Sequence, residues 1–245
     1  MQGTRLAPPG APPLKEVQEY VKAAAATGDW LEIIKWKGRM EELLENQSAA
    51  ASHTILYYFK QAHLMCWVDS KKDDAGKEHG STYVRLEERR IDILDKMGSF
   101  RESALALIEL ANTLLLIEAD GEKASRFLRR AREIGAAHGF LEVECRACQG
   151  LGQRAVLQGQ YQDAVQLLRD ALKISRKCLK DLDGPWFLNL LESFTYALFK
   201  TTAIEEVAPL VQLYREAANA ESRKTGQLSY YELLSLRASA RLHKV

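Results

Sequence analysis

The sequence predicts an all-α protein built of stacked antiparallel helix pairs, and three observations predict it. A unit of about 40 residues recurs along the chain. Small residues fall where two helix axes have to approach. Helix breakers are nearly absent from the body: of six Pro, four (Pro8, Pro9, Pro12 and Pro13) lie in the first 13 residues.

The stretch from Cys145 to Lys177 carries the second observation most clearly. It reads as one helix, a tight turn at Gly159-Gln160 and a second helix. Gly150, Gly152, Ala155, Ala164 and Ala171 supply the small positions, with Leu151, Leu157, Leu168 and Ile174 between them. Two helices pack closely only where small side chains let their axes approach, so this is an antiparallel pair burying one face within itself.

Shifting the chain by 40 residues pairs Phe100 with Phe140, Leu116 with Val156, Ala124 with Ala164, Leu128 with Leu168, Ala131 with Ala171 and Ile134 with Ile174. A further shift of 40 carries Ala124 to Val84, Ala131 to Ile91 and Ile134 to Leu94. Recurrence at a fixed period in this range marks a solenoid, because one helical pair cannot bury its apolar face alone.

The elements follow in order. Met1–Pro13 lacks the apolar residues to fold and reads as a disordered tail with polyproline character. Residues 14–245 read as a single repeat domain. Leu14–Thr27 starts after a Pro pair and stops at Gly28, both good helix boundaries. Leu31–Glu45 has apolar residues at helical spacing (Ile33, Ile34, Trp36, Met40, Leu43, Leu44). Ser52–Val68 is β-branched and aromatic, but its length and the spacing of Ile55, Phe59, Ala62 and Cys66 predict a buried helix.

Asp69–Thr82 is the longest polar run and reads as an inter-helix loop. Tyr83–Met97 is then a helix striped by Val84, Ile91, Leu94 and Met97. Beyond the central repeats, Trp186–Lys200 and Ala203–Lys224 form another pair, with Pro209 tolerated in a first turn. Gln227–His243 closes the array as a capping helix, basic towards its C-terminus as the helix dipole prefers. The expected total is about 11 helices.

Composition narrows the function classes. A net charge of +1 argues against general affinity for nucleic acid. No apolar run approaches the ~18 residues of a membrane span. Cys66, Cys145, Cys148 and Cys178 all sit inside helical patterns, which fits a reducing compartment, so the expected location is intracellular and cytoplasmic. Cys145-x2-Cys148, with Cys178 and His138 near, has the first half of a zinc signature but no second ligand pair. Since Cys148 takes the core position of Ile108 one repeat earlier, core packing is the expected role. Gly150-x-Gly152 lies inside a helix, and Gly76-Lys77 lacks the flanking residues of a phosphate loop. The expectation is a non-catalytic protein with no metal and no cofactor.

Arg89, Arg129 and Arg169 occupy equivalent positions in successive units, a basic ladder suited to an acidic peptide or phosphate groups. The competing reading is a solvated face paired with neighbouring Glu. Glu87, Glu88 and Asp92 beside Arg89 and Arg90 read as another solvated, ion-paired face.

At Cys148–Arg176 the pattern Cys148, Leu151-Gly152, Ala155, Gly159, Tyr161, Ala164, Leu168, Ala171 resembles the tetratricopeptide repeat (TPR). Ile108–Ala136 looks like a second copy and Val17–Met40 like a first, degenerate one. The 40-residue period resembles long-repeat members such as kinesin light chain and rapsyn. Gly121 departs from the pattern, standing where an aromatic belongs.

The resemblance implies a right-handed α-solenoid whose first helices line a concave groove holding a segment of a partner protein. On that reading Arg146, Gln149 and Gln153 line the groove, continued by Asn189, Glu192 and Tyr196. The function implied is a scaffold or adaptor. The alternative is a subunit buried permanently in a larger complex, with Trp67, Trp186, Tyr57 and Tyr58 as interface.

Overall fold

The computed structural model describes residues 14–28, 30–35, 44, 48–70, 74–116, 120–178, 184–201 and 204–225. Helices account for nearly all of them, and no strand occurs among them. In chain order they are α1 (Leu14–Thr27), α2 (Trp30–Lys35), α3 (Ala49–Ser70), α4 (Asp74–Lys96), α5 (Phe100–Leu116), α6 (Gly121–His138), α7 (Leu141–Leu157), α8 (Tyr161–Cys178), α9 (Gly184–Thr201) and α10 (Val207–Thr225). A 3-10 turn, Ile204–Glu206, leads into α10. The expected capping helix 227–243 lies outside the described residues, as does most of the expected helix 31–45 beyond Lys35.

The chain divides into two compact units, Met1–Ala106 and Leu107–Val245. In the first unit α3 and α4 pack along their length, while α1 and α2 lie against α3. Val21, Ala24, Ile33, Leu44, Ile55, Leu56, Phe59, Ala62 and Leu86 form its core. The apolar character of α3 follows from this: a helix with partners on two sides is apolar around most of its circumference.

The structure differs from the sequence reading at 69–82. There α3 runs on to Ser70 and α4 starts at Asp74, so most of the expected polar loop is helix. The polar residues of 74–82 are compatible with a helix that meets its neighbour along part of its surface. Gly80 and Thr82 are buried, and Tyr83 packs its ring against Trp67 at a centroid distance of 6.0 Å.

In the second unit each helix packs on the next from α6 to α10, and α7 also touches α9. Contact between alternate helices is what makes stacked pairs rather than isolated hairpins. The core gathers Cys145, Cys148, Ala164, Leu168, Ala171, Leu188, Leu191, Phe194, Leu198 and Val207. The small residues do what the sequence requires of them. A Cβ on Gly152 would stand 2.6 Å from the Leu168 side chain, and one on Gly150 would stand 2.8 Å from that of Leu128.

Helix ends are set locally. Asp120 caps α6, its side chain accepting from the Lys123 amide at 2.8 Å, a cap worth about 1 kcal/mol. Gly139 and Gly159 close α6 and α7 at φ 71 and φ 72, left-handed values that glycine adopts without strain. The following amides, Phe140 and Gln160, reach back to the carbonyls of Gly135 and Ala155, which satisfies groups that a helix end would otherwise leave open.

Candidate functional site

The exposed faces of α7 and α9 meet side by side in the second unit. Gln153 on α7 donates its amide to Ser193 Oγ at 3.1 Å and to Asn189 Oδ1 at 3.4 Å on α9. Ser193 in turn donates to the Asn189 carbonyl. One turn or two towards the α7 N-terminus, Arg146 pairs with Glu142 at 3.3 Å and lies over the Trp186 ring at 5.5 Å. Tyr196, 38% exposed, meets the Tyr161 ring edge-on and has the Lys200 ammonium 5.6 Å from its centroid. Burial pushes the Glu192 carboxyl above its ordinary value.

The structure therefore brings Arg146 and Gln153 together with residues of α9, including Asn189. Gln149 is 4% exposed and sits in the packing below this face. Such a surface offers amide, hydroxyl, guanidinium and phenol groups at once, the mixture that suits a peptide main chain with its alternating donors and acceptors.

The three arginines of the ladder are each placed separately. Arg89 is exposed on α4. Arg129 on α6 lies 3.9 Å from Glu122, both well exposed. Arg169 on α8 makes a two-oxygen pair with Glu206 at 2.8 and 3.1 Å. Exposed pairs of this kind are worth at most about 1 kcal/mol.

Behind the candidate face lie the cysteines. Cys145 donates its thiol to the Ala171 carbonyl at 3.0 Å, and Cys148, like Cys145, is fully buried. Burial, with Cys178 and Cys148 close by, raises the Cys145 thiol well above its usual range, and burial pushes Cys148 up to about 11. Both thiols are held protonated, which makes them poor nucleophiles.

The sign of the pH effect follows. A group whose folded pKa exceeds its unfolded value of about 9 contributes stability that is complete below pH 9 and lost as pH rises through the folded value. Stability measured by urea unfolding is expected to fall between about pH 9 and pH 11, and Cys148→Ala is expected to flatten that fall. An unchanged pH profile in the variant would count against the assignment.

Two placements in the first unit depart from the sequence reading. Glu87 is fully buried and Arg90 is 7% exposed, so they are not a solvated face. Glu87 takes Arg90 Nε at 2.8 Å and Lys60 Nζ at 3.4 Å, and Arg90 Nη1 reaches His53 Nε2 at 3.0 Å. Burial, then the Arg90 charge, lowers the His53 pKa. His63 and His79 face one another, Nδ1 to Nδ1, at 3.0 Å. The histidine pair is not visible while 69–82 reads as a loop, and the Glu87 grouping depends on which face of α4 meets α3. Of the large aromatics, Trp67 is buried, Trp186 and Tyr58 are half-buried, and Tyr57 is 43% exposed.

No protein-family model matches the chain, and no curated protein matches it. Solved structures do. The chain is similar to crystal structures of nearly identical TPR-like repeats from a protein of Podosopora anserina described as kinesin light chain, one of them a single-substitution variant. The likeness has TM-scores of 0.59 and 0.57 at 17% and 16% identity, covering 86% of this chain and 96% of each of those.

The chain has a TPR-like helical-repeat fold.

In TPR-like terms α7 and α8 are the two helices of the best-preserved repeat, and α9 opens the next. The side-by-side face of α7 and α9 is thus a face of adjacent first helices. Among the described residues no helix is long and apolar enough to cross a membrane.

Proposed function

We propose that this chain is a non-catalytic scaffold that holds a segment of a partner protein against the first-helix face of its repeats, residues 14–245 working as one repeat domain. Arg146, Gln153, Asn189, Glu192 and Tyr196 are the contacts, with Gln149 beneath them. The observation that carries the reading is the Gln153 bridge from α7 to Asn189 and Ser193 on α9. It fixes a continuous polar surface across two repeats, and its amide groups can exchange these bonds for bonds to a bound main chain at little net cost. A TPR-like fold supports binding of a protein segment but does not choose the partner.

The test compares the wild-type chain with Gln153→Ala/Tyr196→Ala in affinity purification at physiological salt. Partner recovery is expected to drop by about tenfold or more, since exposed aromatics anchor interfaces strongly. Helical content is expected to stay unchanged. Full recovery of the same partners by the double variant would contradict the proposal.

A further inference from the structure

A second feature of the Leu107–Val245 unit lies away from the α7–α9 face and shares none of its residues. Between α6, the C-terminal half of α7 and the start of α8 there is a cavity of about 600 Å³, a size typical of small-ligand sites. Arg129, Arg132 and Arg154 line it, together with Glu122, Ser125, Leu151 and Asp163. Arg154 is 8% exposed and donates to the Ser125 hydroxyl and, at 3.2 Å, to Glu122 Oε2. Arg129 approaches the other oxygen, Glu122 Oε1, at 3.9 Å. Two guanidinium groups from different helices thus close on the two oxygens of one carboxylate, and that carboxylate is 66% exposed.

The 40-residue register shows how unusual this place is. Arg154 stands where the preceding unit has Leu114, 3% exposed. Ser125 stands where the following unit has Val165, 5% exposed, and Arg132 where it has Leu172, 6% exposed. Gly121 replaces Tyr161, and a Cβ there would already stand 3.4 Å from Arg154 Nε. At each of these four positions one adjacent repeat carries an apolar or aromatic residue, although the preceding repeat has Ser81, Arg85 and Asp92 at three of them, and here the four leave room for a guanidinium group. Burying an Arg costs desolvation that an apolar side chain does not, so packing alone gives no reason for the exchange.

We propose that this cavity binds a phosphomonoester, whose oxygens take the place of the Glu122 carboxylate between Arg154 and Arg129. Guanidinium groups match such oxygens with paired N–H donors. A phosphomonoester carries about two negative charges at neutral pH, against one for Glu122. Glu122, exposed and attached by a flexible side chain, swings out to solvent when the ligand enters. Asp163 on the rim and Asp170, 3.9 Å from Arg132, offset part of the arginines' charge.

Titration calorimetry of the full chain with inorganic phosphate, O-phosphoserine and adenosine monophosphate tests this. Saturable binding of at least one probe is expected. Glu122→Gln, which removes the competing carboxylate, is expected to tighten it by about twofold to fivefold. Arg154→Leu/Ser125→Val, which puts at each position an apolar residue that one adjacent repeat carries there, is expected to weaken it by about tenfold or more while helical content stays unchanged. Tighter binding of O-phosphoserine than of phosphate assigns the group to a modified protein segment, and tighter binding of adenosine monophosphate assigns it to a nucleotide. No saturable binding of any probe by the wild type overturns the proposal. So does an affinity that Glu122→Gln fails to raise.

Discussion

Glu87→Ala is expected to destabilise the Met1–Ala106 unit by about 3–5 kcal/mol, the range for removing one partner of a buried ion pair. Glu87 has no exposed surface and is the shared acceptor for Lys60, also fully buried, and Arg90. Without it two cations remain within reach of the Tyr57 ring in a buried site that has lost the carboxylate they share. Replacing all three by apolar residues of similar volume is expected to cost far less, because the desolvation penalty goes with the charges. Urea unfolding followed by circular dichroism measures both variants. A loss below about 1 kcal/mol for Glu87→Ala, the level of an exposed pair, would mean that water reaches the site.

Leu168→Ala is expected to cost about 3–5 kcal/mol, as for fully buried leucines that leave a cavity. Leu168 is fully buried on α8 and fills the space that Gly152 leaves on α7. The two backbones are already close there, so the structure can collapse little into the hole. Leu157, 73% exposed at the end of α7, provides the contrast: its change to Ala is expected to stay within about 0.5 kcal/mol. Equal losses at the two positions would contradict the packing described for this pair.

The repeat was legible because its signal is steric and local. Gly150 and Gly152 reveal close helix approach from sequence alone, and the ends of α1 and of the α7–α8 turn are written in Gly28 and Gly159. The polar run 69–82 reads as a loop from composition alone, which carries no information on how much of a helix meets a neighbour. A helix needs few apolar residues over a stretch that meets its neighbour only in part, and Gly80 was there to admit the Trp67 ring.

The Lys60, Glu87 and Arg90 cluster is illegible for a different reason. Both helices that carry it are read as helices from the sequence, but a run of charges does not show which of its members turns towards the facing helix. The Arg154 cavity leaves traces in the register, Gly121 at an aromatic position and Arg154 at the position of Leu114. Their meaning requires knowing that Arg154, from the next helix, points at that space. Among the six residues expected on the partner-binding face, Gln149 is buried, which helical spacing does not distinguish.

The central claim, that a partner segment lies on the first-helix face, is tested most directly by placing a photoreactive amino acid at single positions of the full chain. Position 196 on α9 and position 126 on α6, both exposed, make the comparison. The account predicts a crosslinked partner adduct from position 196 and none from position 126. An adduct from position 126 with none from position 196 would contradict it.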